Sequence, residues 1–77
     1  MTLEVYKKIH KNDPVVKLAE LMTDEAYYIS CDARRAGWYS DGRNKEEESY
    51  WSREVEHHKQ RVGWLYDTIR EKMEGRE

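Results

Sequence analysis

The sequence predicts an all-α protein, in which an antiparallel two-helix hairpin follows a short N-terminal segment. Three observations support this prediction. Two long stretches repeat their apolar residues at alternating steps of four and three, which is the heptad pattern of packed helices. Residues with turn chemistry, Asp41 and Gly42, separate the two stretches. The chain has 77 residues, which is enough for one domain only.

Residues 1–12 form the N-terminal segment, for which a short helix is predicted. Its apolar residues are Leu3, Val5, Tyr6 and Ile9. A strand is the alternative, since Leu3 and Val5 alternate with polar residues, but a single strand would leave its backbone groups without a partner. We expect this segment to cover part of the apolar surface of the hairpin.

Helix A is predicted over residues 14–38. Asp13 is the expected N-cap, and Pro14 suits the first helical position because it has no N–H to leave unpaired. Gly37 is the expected stop. The repeating residues are Val15, Ala19, Met22, Ala26, Ile29, Ala33 and Ala36. Because alanine holds four of these seven positions, we expect this face to lie close against a helix with larger side chains.

Helix B is predicted over residues 45–74, after a loop at 39–44. Asn44 can cap it, and the glutamates at 46–48 complement the positive end of the helix dipole. Gly75 is the expected end of the helix. The repeating residues of this helix are Trp51, Val55, His58, Val62, Leu65, Ile69 and Met73.

A second apolar stripe lies beside these repeats and is the predicted oligomer interface. It consists of Leu18, Leu21, Tyr28 and Trp64. A second copy of the chain is expected to cover whatever the N-terminal segment leaves exposed. Two hairpins would then form a dimeric helical bundle, which is a common route to stability for so small a unit.

Composition sets the broad class and the compartment. Charged residues are 39% of the chain, and the net charge of −2 gives no general attraction to nucleic acid or anionic membranes. Cys31 is the single cysteine, so no internal disulfide is available. No apolar run approaches the roughly 18 residues of a membrane span, and the first residues lack the apolar core of a signal peptide. We expect a cytoplasmic protein.

The tip of the hairpin, formed by the end of helix A and the loop after it, holds the predicted partner-binding residues. They are Arg34, Arg35, Trp38, Tyr39 and Arg43. Trp, Tyr and Arg are the residue types enriched at binding hot spots, which favours contact with a protein. Arginines beside aromatic rings also suit a phosphate or single-stranded nucleic acid. A purely structural role, in which the arginines pair with nearby acidic side chains, is the third interpretation.

Motifs for catalysis, cofactors and metals are missing from the sequence, so we expect none of these functions. Glu54 and His58 have the spacing of helical metal ligands, but two ligands make an incomplete site. His57 points about 100° away from His58 and cannot complete it from the same helix face. Cys31 lacks a neighbouring base in the sequence and is expected to be a small buried side chain.

The leading hypothesis is a non-enzymatic module that occupies the surface of a partner protein. In its short length and its tyrosine- and tryptophan-rich composition, the chain is similar to accessory proteins that phages and mobile elements direct against host machinery. An inhibitor of host defence or host machinery, acting in the host cytoplasm, is the corresponding expectation. The first alternative is a binder of nucleic acid or a small phosphorylated ligand. The second is an antitoxin-like or assembly subunit that engages its partner through Leu21, Tyr28 or Trp64.

Overall fold

A computed structural model describes residues 1–40, 42 and 44–75 and shows an all-helical chain. The helices are α1 (Leu3–His10), α2 (Val15–Trp38) and α3 (Lys45–Met73). Helices α2 and α3 pack against each other, and α1 lies against α3. The molecule is elongated, with principal extents of 50 × 19 × 14 Å. The predicted all-α class is therefore confirmed, with α2 and α3 in a hairpin-like arrangement.

Helices α2 and α3 pack against each other in an antiparallel arrangement. Near the turn, the guanidinium of Arg35 lies 4.6 Å from the centre of the Trp51 ring. Farther away, Glu25 hydrogen-bonds to His58. Farther still, Leu18 shares one apolar cluster with residues at the far end of α3. Residues later in α2 thus meet residues earlier in α3.

Three helix ends follow the capping chemistry of the sequence. The Thr2 hydroxyl accepts a hydrogen bond from the Val5 N–H at 3.2 Å. The Asn44 side chain does the same for the Glu47 N–H at 3.1 Å. Helix α3 ends ahead of Gly75, whose φ of 76° lies in the left-handed region that glycine adopts without strain.

The start of α2 departs from the prediction that Asp13 is its N-cap. Pro14 occupies the N-cap position, and no side chain there accepts a helix N–H. The Asp13 carboxylate instead lies 2.8 Å from Nδ1 of His10, in the last turn of α1. This contact fastens the end of α1 to the beginning of α2. Between α2 and α3, Gly42 has a φ of 85°. Asp41, which was also predicted for this turn, lies outside the described residues.

The face that α2 turns toward α3 agrees with the predicted one only in part. Four of the seven predicted residues are half-buried: Val15, Met22, Ile29 and Ala36. Leu18, Glu25 and Asp32 are buried, and the alanine directly after each of them is exposed. One position along a helix corresponds to a rotation of about 100°. The predicted alanine-lined contact with α3 is therefore wrong at three of its four alanines. Glu25 and Asp32 can hold buried positions because His58 of α3 lies against both carboxylates.

The predicted face of α3 is confirmed apart from its last position. The six repeating residues from Trp51 to Ile69 are half-buried or buried, and Leu65 has 0% exposure. Met73 is 74% exposed, because α2 begins only at Val15 and the helix pair ends there.

The apolar core lies where all three helices meet. Tyr6 of α1, Leu18 of α2 and Leu65 of α3 are its buried members. Their partly buried neighbours are Leu21, Met22, Trp64 and Ile69. The Tyr6 and Trp64 rings meet edge to face with their centres 6.0 Å apart. No helix in the described part of the chain has both the length and the apolar character needed to cross a bilayer.

Leu18→Ala tests this core. The side chain has 0% exposure, so its truncation should lower the free energy of unfolding by about 2–5 kcal/mol. Val16→Ala is the matched control, because Val16 is 71% exposed on the same turn and its truncation should change stability by less than about 0.5 kcal/mol. Urea denaturation followed by circular dichroism measures both. Equal losses in the two variants would contradict the described core.

Candidate functional site

A layer of charged side chains crosses the interface between α2 and α3. Nδ1 of His58 is hydrogen-bonded to the Glu25 carboxylate, and Nε2 lies 3.4 Å from Oδ2 of Asp32. The side chains of His58, Glu25 and Asp32 are only 13%, 7% and 9% exposed. Both carboxylates lie on one face of α2 because seven residues correspond to nearly two helical turns. One imidazole thus faces a carboxylate at each ring nitrogen.

Arg61 extends this layer toward the N-terminal helix. Its Nη1 donates to Oε1 of Glu25 at 3.3 Å, and its Nη2 donates to the carbonyl oxygen of Met1 at 3.1 Å. The guanidinium also lies 5.0 Å from the centre of the Tyr6 ring, where the ring's negative face attracts a cation. Arg61 therefore links the N-terminal segment, α2 and α3. We call Glu25, Asp32, His58 and Arg61 the ionic layer.

Tyr6 places a phenol at the edge of the ionic layer. Its ring is 5% exposed, and its hydroxyl is buried without a hydrogen bond of normal geometry among the described residues. Burial is the main cause that raises the pKa of Tyr6 to about 12, and the nearby charge of Glu25 adds to it. The positive charge of Arg61 partly opposes this rise in the pKa.

Arg35, a predicted partner-binding residue, is held by the scaffold. Its Nη1 donates to Oδ1 of Asp32 at 3.4 Å, and its guanidinium covers Trp51. The indole N–H of Trp51 in turn donates to Glu47 at 3.1 Å. The contacts of Arg35 therefore match the purely structural role, in which the arginines pair with nearby acidic side chains. Asp32 lies three positions earlier on α2 and is within reach of Arg35.

The other predicted tip residues lie in different environments. Trp38 is 67% exposed and Arg34 is exposed, whereas Tyr39 is half-buried after the end of α2. Arg43 lies outside the described residues. Arg34 and Trp38 are four positions apart, so they share one face of α2.

Tyr27 extends that exposed face down the helix. It is 65% exposed and precedes Arg34 by seven positions, which places both on the same side of α2. A hydrogen bond with Cys31 is the largest cause that raises the pKa of Tyr27, and Arg34 opposes it. We call Tyr27, Arg34 and Trp38 the α2 stripe. The spacing of seven residues between Tyr27 and Arg34 was the sequence signal for this stripe, but the predicted binding residues did not include Tyr27.

The residues of the predicted oligomer interface lie in different environments within one chain. Leu18 has 0% exposure and offers no surface to a second copy. Leu21 and Trp64 pack against the core. Tyr28 is 48% exposed, with its ring centre 5.4 Å from that of His58. The N-terminal helix contacts this stripe through Tyr6 and Trp64.

An apolar groove remains on the surface at the far end of the helix pair. It is lined mainly by Ala19, Met22, Tyr66, Ile69 and Met73. Two of these residues, Met22 and Ile69, also pack against the core. The groove therefore continues the apolar cluster outward between α2 and α3.

No protein-family model, no curated protein and no solved structure matches the chain. Its function is therefore inferred from the side chains of the α2 stripe and the ionic layer.

Glu25→Ala tests the energetic weight of the ionic layer. It leaves His58 and Arg61 without their shared carboxylate in a buried position, so the free energy of unfolding should fall by about 3 kcal/mol or more. Glu20→Ala is the matched control, because Glu20 is exposed on the same helix and should matter by less than about 0.5 kcal/mol. Urea denaturation measures the difference, and a loss below 1 kcal/mol for Glu25→Ala, on the order of a surface pair, would show that the layer is open to water.

A tyrosine titration tests the burial of Tyr6. Its pKa is raised from 10.0 to about 12, so protonated Tyr6 adds stability below pH 10, and this contribution is lost as the pH rises toward 12. Tyrosinate absorbance should show a step that ionises near pH 12. Tyr6→Phe should remove that late step. A late step that persists in Tyr6→Phe would contradict the described environment.

Proposed function

We propose that the chain is a non-enzymatic protein-binding module that occupies the surface of a partner protein. The α2 stripe is the observation that supports this proposal. Its three members are of the types that dominate interface hot spots. Tyr27 and Trp38 are 65% and 67% exposed, and the described contacts give neither ring a place in the core.

The scaffold holds this stripe in a fixed form. Tyr27 follows Glu25 by two positions, so their side chains point about 200° apart around α2. The stripe therefore lies nearly opposite the ionic layer that anchors the helix. A partner can bind without disturbing the packing of α2 on α3, and little ordering of the chain opposes binding.

Each member of the stripe has a distinct part in the proposed contact. The Trp38 and Tyr27 rings supply apolar area and carry polar groups that can still form hydrogen bonds at an interface. The Arg34 guanidinium between them can form a two-pronged contact with a carboxylate of the partner. A matching partner surface has an apolar pocket for an indole and an acidic residue beside it.

The biological role in this proposal is that of a small inhibitor. A short chain with no catalytic signature can act on a larger protein by covering a surface, as the accessory proteins of phages and mobile elements do in a host cytoplasm. Self-association stays a prediction. Leu18 is enclosed within one chain, and the apolar groove around Tyr66 and Met73 offers an exposed surface for self-association.

The alternative function is recognition of nucleic acid or a phosphorylated ligand by the same stripe. Arg34 between two stackable rings is the observation that favours it. The net charge of −2 opposes it, because such binders usually carry a positive surface.

Trp38→Ala combined with Arg34→Ala tests the proposal. In a pull-down from host extract read by quantitative mass spectrometry, the double variant should lose a protein that the unchanged chain captures. The dissociation constant of the purified pair should rise at least about 30-fold, since a hot spot contributes about 2 kcal/mol or more. Circular dichroism should show unchanged helical content.

Two comparisons make this test specific. Tyr66→Ala removes a ring of similar exposure, 55%, which lies in the apolar groove, and should retain the partner. If Tyr66→Ala loses the partner and the double variant keeps it, the groove is the binding surface and the proposal is wrong. If the captured molecule is nucleic acid, with an affinity that falls log-linearly with salt, the alternative function holds instead.

A further inference from the structure

Three side chains of the helix pair bring potential metal-ligating atoms together beside the ionic layer. Asp32 comes from α2, and Glu54 and His58 come from α3. One ligand atom from each lies within 4.8 Å of the other two. Glu54 and His58 are four positions apart, so they share one face of α3. The sequence shows only that pair, and the fold adds Asp32 as the third ligand.

The hydrogen bond at the other ring nitrogen orients His58 for such a role. An ionised carboxylate only accepts hydrogen bonds, so the Nδ1–H group of His58 is the donor in its hydrogen bond to Glu25. Nε2 is then the nitrogen that faces Asp32. A carboxylate that holds the far nitrogen of a histidine is the common outer partner in metal sites, because it fixes the ring and makes the ligating nitrogen more basic.

The charged groups around Nε2 of His58 favour a cation between this nitrogen and Asp32. The neighbouring carboxylates of Glu25, Asp32 and Glu54 outnumber the two guanidinium groups of Arg35 and Arg61. A lone pair on Nε2 would face a carboxylate oxygen of Asp32 and repel it. Either a proton or a metal ion between the two atoms removes this repulsion.

One pair of ligand atoms already has the spacing of a zinc site. Bonds of about 2.0–2.1 Å in a tetrahedral zinc site place neighbouring ligand atoms about 3.4 Å apart. Nε2 of His58 and Oδ2 of Asp32 are 3.4 Å apart. The ligand atom of Glu54 lies within 4.8 Å of both, and its side chain is 29% exposed, so water reaches this side of the site.

We propose that Asp32, Glu54 and His58 bind a divalent first-row transition metal, with Zn²⁺ as the representative ion and water as the fourth ligand. The imidazole nitrogen selects against Mg²⁺ and Ca²⁺, which prefer ligand sets made of oxygens. Three protein ligands leave one coordination position for water. Because the ligands come from both long helices, the bound ion fastens α2 to α3.

Calorimetric titration of the full chain, stripped of metal with a chelator, tests the proposal. Zn²⁺ should bind with a stoichiometry of one and raise the thermal midpoint of unfolding, whereas Mg²⁺ should do neither. Co²⁺ should bind at the same site and give the visible absorption of a tetrahedral ion. Absence of Zn²⁺ binding would overturn the proposal.

Glu54→Gln is the decisive variant. Glu54 has an ion-pair distance of 3.7 Å to His57 and is not a member of the ionic layer, so its replacement should leave the fold intact. Zn²⁺ affinity should fall at least about tenfold, since even an outer partner of a ligand typically contributes that much. His58→Gln should abolish binding, and circular dichroism shows whether that variant remains folded.

Two controls separate the proposed site from a surface ion. Glu56→Gln removes an exposed carboxylate that pairs with Lys59 at 3.7 Å and should leave Zn²⁺ binding unchanged. His57→Gln should do the same. If His57→Gln abolishes binding while a folded His58→Gln retains it, the ion sits on the surface pair of Glu54 and His57, and the proposal is wrong. Trp38→Ala should not alter Zn²⁺ binding, so the proposed protein contact is tested independently.

Discussion

The enclosure of His58 between two carboxylates is the constraint on which the rest of the structure depends. Glu25 and Asp32 are shielded from water, so each requires a partner at one particular height along α3. A shift of α3 by one heptad would set Glu25 against Leu65 or Trp51 and leave a buried charge unpaired, at a cost of several kcal/mol. Apolar layers alone tolerate such a shift better. We infer that the ionic layer fixes the alignment of the helix pair more than it adds to its stability.

This arrangement assigns different tasks to different sides of α2. One side carries Glu25 and Asp32 into the contact with α3. The nearly opposite side carries the α2 stripe and has no part in the core. The exposed alanines lie between them and present a smooth surface with little side-chain entropy to lose. A binding surface on a helix that is anchored from behind is better ordered than the same residues on a loop.

The helices could be predicted because interactions between neighbouring residues set their ends. The ionic layer could not be predicted in this way because its residues pair across a long stretch of sequence. The predicted ranges 14–38 and 45–74 compare with Val15–Trp38 and Lys45–Met73, because Asn44 and Gly75 act on their immediate neighbours. Three positions of the predicted α2 face were wrong, since the apolar pattern treats Glu25 and Asp32 as surface residues. The partner of Glu25, His58, is 33 residues away, and no local rule joins the two. A search for acidic residues at heptad spacing opposite a histidine at an apolar position could have found them.

The three tryptophans lie in three different environments. Trp38 stands in solvent, Trp51 lies beneath a guanidinium, and Trp64 packs against the ring of Tyr6. Because the chain contains no other tryptophan, its fluorescence is the sum of one hydrated and two shielded indoles. Binding at the proposed surface around Trp38 and melting of the interior should therefore change different components of the emitted light, and the native chain carries its own optical probes for both events.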